Sequence, residues 1–113
     1  MIKRLSVLAL YLGLASEGCA PSGAGAVGSA EAHQLVAQGA VLVDVRTPEE
    51  FSGGHLDGAR NVPVGELSSR MGELPRDKTL VVYCHSGARS ARAASMLREA
   101  GYRVRNLGPM GAW

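Results

Sequence analysis

Thr79-Leu80-Val81-Val82-Tyr83-Cys84-His85-Ser86-Gly87-Ala88-Arg89 is the stretch that decides the fold. Its first five residues are mostly apolar and preceded by the turn former Pro75-Arg76-Asp77-Lys78, which predicts a short strand buried on both faces. The run leads straight into Cys84, then into small loop residues, and residues 90–100 have helical spacing. Ala91, Ala94, Met96 and Leu97 are expected to line the inner side of that helix, with Gly101 just past its end. A cysteine at the carboxyl end of a buried parallel strand sits where open α/β sheets keep their ligand crevices.

Working outward, Ala40-Val41-Leu42-Val43-Asp44-Val45-Arg46 repeats the buried-strand pattern. Thr47-Pro48-Glu49-Glu50 then starts a helix: Thr47 caps it, Pro48 fits the first helical position, and Glu50 completes a capping box. Gly53-Gly54 ends that helix within about two turns. Before the strand, Ser29 is expected to cap a helix through Glu31, Ala32, Leu35 and Val36, stopped by Gly39. A short strand is predicted at 59–62, closed by Pro63, a short helix at 64–71, and a last strand at 102–107. Strands alternating with helices imply an α/β fold, a small parallel sheet with helices on both faces.

The 113 residues suffice for one hydrophobic core. With 46% hydrophobic and 19% charged residues, the composition is that of an ordinary soluble domain. A net charge of +2 and 4% aromatics argue against nucleic acid as a partner. Arg89, Arg92, Arg98, Arg103 and Arg105 gather in the last third. They read as a solvated helix face and strand edges, with attraction for small anions as the second reading.

Residues 1–20 read as an export signal and 21–28 as a flexible tether, leaving 29–113 for the domain. Met1-Ile2-Lys3-Arg4 is a short basic start, and the apolar run at 5–15 is too short to span a bilayer but suits a secretory signal. Gly18-Cys19 resembles the lipidation site of bacterial lipoprotein signals, although Ser16 and Glu17 depart from that pattern. Lipidation at Cys19 with membrane attachment, ordinary cleavage nearby, and an uncleaved anchor remain open. The leading readings place the domain outside the cytoplasm, in the periplasm or cell envelope. Cys19 and Cys84 are not expected to pair, since one lies at the edge of the targeting segment and the other in the fold.

The loop from Cys84 to Arg89 carries the chemistry. Ser86, Gly87 and Ala88 are small enough for the backbone to curl around a small group. The following helix aims free N–H groups and its positive end back at the loop. Both effects favour the thiolate and should lower the Cys84 pKa below the ~8.5 of a free cysteine. Arg89 adds a cation suited to an oxyanion such as a thiosulfonate or phosphate.

This strand, loop and helix resemble the active-site region of the rhodanese family. The resemblance extends to Asp44-Val45-Arg46-Thr47-Pro48-Glu49-Glu50-Phe51, to Gly54-His55-Leu56-Asp57-Gly58-Ala59-Arg60-Asn61-Val62-Pro63, and to Ala100-Gly101-Tyr102, Val104, Leu107 and Gly111-Ala112-Trp113. It covers roughly residues 27–113. It implies a rhodanese-like fold and a sulfurtransferase without cofactor. Cys84 would take a sulfane sulfur from thiosulfate or a persulfide donor and pass it, through a persulfide, to a thiol, a protein acceptor or cyanide. The backbone from Ser86 to Ser90 would stabilise the persulfide, and Arg89 would orient the donor. His85 stands beside the nucleophile, either as a base or as a solvent-facing loop residue. Asp44 and Arg46 match an architectural pair, and His55 and Asn61 match positions that fix a loop. Arg92, one helical turn further on, reads as surface.

Four residues separate Cys84 from Arg89. Cysteine phosphatases and arsenate reductases resemble this fold but place five there, making a larger cradle for a tetrahedral oxyanion. A rhodanese-like module that carries sulfur slowly, or only binds a partner, is the alternative; its non-catalytic members lose the cysteine that this chain keeps. A thiol redox protein of the C-x-x-C kind would need a second cysteine. Scattered histidines give no zinc or haem ligand spacing. Family members run on past the Ala-Trp position into a final helical segment. A chain that stops at Trp113 is therefore expected to lack that cover or to be a fragment.

Overall fold

The computed structural model describes residues 25–113. The proposed signal at 1–20, Cys19 and the first part of the tether lie outside the described residues. Helix α1 (Ser29–Ala37) leads into β1 (Val41–Asp44), α2 (Pro48–Ser52) and β2 (Arg60–Asn61). After a 3-10 turn come α3 (Leu67–Arg70), a second 3-10 turn, β3 (Leu80–Cys84), α4 (Ala88–Glu99) and β4 (Val104–Pro109). A last 3-10 turn spans Met110–Ala112. The four strands form one parallel sheet in the order β2-β1-β3-β4.

β3 is central, which explains its unbroken apolar run: all five residues are buried. Alternate residues divide between two helical layers, as the pleat requires. Leu80, Val82 and Cys84 join Val43 and Val45 in a core closed by Leu67 of α3 and by Ala93, Ala94 and Leu97 of α4. Val81 and Tyr83 point the other way with Leu42 and Leu107, against Ala32, Leu35 and Val36 of α1. Leu97 is fully buried in the first layer, so truncating it to Ala should cost about 2–5 kcal/mol. The sheet is thus covered on both faces.

Helix α2 starts as its sequence predicts. The Thr47 hydroxyl accepts from Glu50 N, the Glu50 carboxylate accepts from Thr47 N, and Pro48 occupies the first turn. Several local expectations need correction. Ser29 is the first residue of α1 and Gly28 its cap, because the Ser29 hydroxyl instead donates to the Trp113 carbonyl at 2.5 Å. Helix α4 begins at Ala88, before residue 90, and its inner stripe runs through Ser90, Ala93, Ala94 and Leu97. Ala91 therefore faces solvent, since a stripe that begins at Ser90 returns at every third or fourth residue. Tyr102 precedes β4: its hydroxyl donates to the Met71 carbonyl at 2.7 Å and lies 3.2 Å from the Leu74 carbonyl, pinning the segment before β3.

β4 carries one extra residue. Val82 pairs with Asn106 but Tyr83 pairs with Gly108, so Leu107 bulges out of the ladder. Ala26 bridges to Asn106, and Val27 N donates to Asn106 O, so the residues just before α1 lie along the β4 edge. Among the described residues no helix is long and apolar enough to cross a membrane.

Candidate active site

Cys84 is the last residue of β3, opposite Pro109 of β4, and is fully buried. Three residues later the chain must turn to begin α4, and Gly87 makes that turn with φ +108°. An L side chain rarely adopts that conformation, so the small residue is required there. The turn folds the start of α4 over the cysteine sulfur. Gly87 N lies 3.0 Å from Cys84 Sγ and Ser90 N 3.4 Å, and both donate to it. The Ser90 hydroxyl, buried with the sulfur, is 3.6 Å away. Burial pushes the Cys84 thiol up. Hydrogen bonds from the Ser90 side chain and from the N–H groups of Ser90, Gly87 and Arg89 outweigh it and leave the pKa below the ordinary thiol value.

The loop residues singled out in the sequence separate by role. Gly87, Arg89 and Ser90 direct N–H groups at the sulfur, while His85, Ser86 and Ala88 are exposed on the outer side of the loop. Arg92 is also exposed. Arg89 is held by a partner the sequence did not suggest. Its NH1 and NH2 donate to the two carboxylate oxygens of Glu50 at 2.7 and 3.0 Å. That fork, aided by the N–H of Thr47, holds the Glu50 carboxyl at about 2. Read alone, Glu50 was only half of a capping box. Nothing within 39 residues of chain points it at Arg89.

Beneath the loop lies the ion pair expected between Asp44 and Arg46, with Arg46 NH2 2.7 Å from Asp44 Oδ2. Asp44 is fully buried and also accepts from Arg46 N and Nε. Arg46 reaches on to the Gly54 carbonyl at 2.7 Å, and its guanidinium lies over the Tyr83 ring. Asn61 Nδ2 bridges the carbonyls of Asp44 and Arg46 at 3.0 and 2.9 Å. The Tyr83 hydroxyl accepts from Leu56 N, and burial pushes its pKa up to about 12. His55 stacks on Phe51 at 3.7 Å and bonds its carbonyl. Together these contacts fix the turn from β1 into α2, and hence the position of Glu50.

A cleft of about 300 Å³ opens at the opposite end of the sheet, beside Leu35, Gln38, Lys78 and Arg103. It lies at the amino ends of the strands, away from Cys84, and no cysteine or histidine lines it. Among the described residues no three His, Cys, Asp or Glu side chains are placed to share a metal ion.

The model of the rhodanese-like domain family matches residues 29–113. Over 62 residues the chain is 50% identical to the uncharacterized protein YqhL of Bacillus subtilis; the match covers 55% of this chain and 49% of that one, so it spans about half of that relative's length. It is 45% identical over 75 residues to a sulfurtransferase of Allochromatium vinosum, covering 65% of this chain and 70% of that one. Among solved structures, the human single domain sulfurtransferase TSTD1 superposes with a TM-score of 0.66 at 31% identity, covering 79% of this chain and 91% of that one.

Proposed function

Since the chain belongs to the rhodanese-like domain family, we propose that it is a sulfurtransferase that moves a sulfane sulfur from thiosulfate or a persulfide donor to a thiol or cyanide. The observation that carries the proposal is the Cys84 sulfur, held under the N–H groups of Gly87 and Ser90 at the start of a 12-residue helix. In the first step the Cys84 thiolate attacks the outer sulfur of thiosulfate. A Cys–S bond to that sulfur forms, the sulfur–sulfur bond of thiosulfate breaks, and sulfite leaves with the bonding pair. In the second step an acceptor thiolate or cyanide attacks the terminal sulfur of the persulfide and the Cys84 thiolate returns. No net oxidation or reduction is needed across the cycle.

The N–H groups at the start of that helix, which lower the thiol pKa, would also stabilise the persulfide anion, whose charge sits on the terminal sulfur one bond beyond Sγ. The spacing of four residues between Cys84 and Arg89 supports sulfur over phosphate chemistry. We further propose export to the periplasm or cell envelope, on the strength of the basic start and the apolar run at 5–15. Cell fractionation and sequencing of the mature amino terminus test that part, and Cys19→Ala tests lipidation.

Intact mass tests the chemistry. Thiosulfate should add one sulfur atom (~32 Da) to the domain, cyanide should remove it as thiocyanate, and Cys84→Ser should show neither change. A wild-type protein left unmodified by thiosulfate and by persulfide donors would reject sulfur transfer.

A further inference from the structure

A site built only to attract a dianion would present an unpaired cation, and this one does not. The guanidinium of Arg89 is met end-on by both oxygens of Glu50, at 2.7 and 3.0 Å. Glu50 is itself pinned from behind by Thr47 N at 3.0 Å and by the Thr47 hydroxyl. Its carboxylate belongs to a rigid turn, fixed by the Asp44–Arg46 pair and by Asn61. Both partners are about one-third exposed, so they stand at the solvent edge of the loop, where a donor must approach.

The consequence is a matter of charge. Arg89 and Glu50 cancel, which leaves the Cys84 thiolate as the uncompensated charge of the immediate site. An incoming sulfonate must either share Arg89 with Glu50 or bind to the N–H groups alone. From these contacts we infer that Glu50 is a specificity-determining residue: by neutralising Arg89 it disfavours dianionic sulfur donors and favours donors of lower charge, such as monoanionic thiosulfonates and persulfides. The inference deepens the sulfur-transfer reading above and rests on it.

The test compares Glu50→Gln with wild type on two donors of different charge, the dianion thiosulfate and the monoanion benzenethiosulfonate, with cyanide as acceptor. The amide keeps the shape and one acceptor oxygen but removes the negative charge. The ratio of kcat/KM for thiosulfate to that for benzenethiosulfonate should rise on the order of fivefold at low ionic strength, through KM, because the two donors differ by one charge. The rise should shrink in high salt, since the pair is partly exposed. Both donors are measured on one sample, so a partly unfolded variant does not alter the ratio. Thr47→Ala, which weakens the helix cap but leaves the carboxylate on Arg89, should keep the ratio within about twofold of wild type.

An unchanged ratio in Glu50→Gln, or an equal shift in Thr47→Ala, would overturn the inference while leaving sulfur transfer standing. A wild-type protein that accepts sulfur from neither donor would instead remove the reading on which it rests.

Discussion

Ser90 is the side chain through which the structure makes its sharpest quantitative prediction. Its hydroxyl sits between the Cys84 sulfur at 3.6 Å and the Gly87 carbonyl at 3.1 Å. A hydroxyl has one proton, so the two contacts cannot both be donated. While Cys84 is a thiol, it donates to Ser90 Oγ, which donates onward to Gly87 O. Once Cys84 ionises, the hydroxyl must turn its proton to the sulfur. Ser90→Ala therefore removes the Gly87 bond and a weak S–H bond from the thiol state, but a single, stronger, charge-assisted bond from the thiolate state. Bonds to charged groups contribute about 1.5–3 kcal/mol and neutral ones about 0.5–1.5, a difference of about 1 kcal/mol. At 1.36 kcal/mol per pKa unit, the Cys84 pKa should rise by about 0.7 unit. Below that pKa the thiolate fraction, and with it the rate of persulfide formation, should fall about fivefold; well above it the rates should converge. Rapid-mixing measurements of persulfide formation across the pH range, paired with the ultraviolet absorbance of the thiolate, would show the displaced curve. Superimposable pH profiles, or a loss of equal size at every pH, would refute this account of how the thiolate is stabilised.

Other perturbations test the frame around the cysteine. Asp44→Ala strands the buried Arg46 guanidinium without its carboxylate; urea denaturation should show a loss of about 3–5 kcal/mol, a large share of a small domain's stability. Gly87→Ala has room for its methyl group, with Pro109 Cδ 3.6 Å away, but not the backbone freedom for φ +108°. It should cost about 1–2 kcal/mol in denaturant and slow persulfide formation by moving an N–H off the sulfur. The Glu50 carboxyl is depressed to about 2 from 4.5, so its pairing stabilises the fold fully above the unfolded value and is lost as pH falls through the folded one. Acid titration followed by circular dichroism should therefore find wild type losing more stability than Glu50→Gln between 4.5 and about 2.

Much of the protein was written locally. The strand ending at Cys84, the small loop residues and the helix behind them follow from an apolar run, a glycine and a helical period, each read within a dozen residues. The capping box of Thr47 and Glu50 is equally local, and it forms as read. The Asp44–Arg46 pair was anticipated through the resemblance to the rhodanese family.

The sequence by itself thus determined the order of strands and helices, that the sheet is covered on both faces, and which cysteine stands at its carboxyl end. Only the tertiary structure decided which partners those elements meet. Glu50 reaches Arg89 across 39 residues, Ser29 is drawn to Trp113 instead of its own helix end, and Leu107 bulges from β4. Ala91 turns outward because Ser90 is held at the sulfur. The division has a physical cause. Propensities, caps and periodicity are free energies of neighbouring residues, present in any context. The rotation of a helix, the register of a strand and the pairing of distant charges are settled only when whole faces pack together.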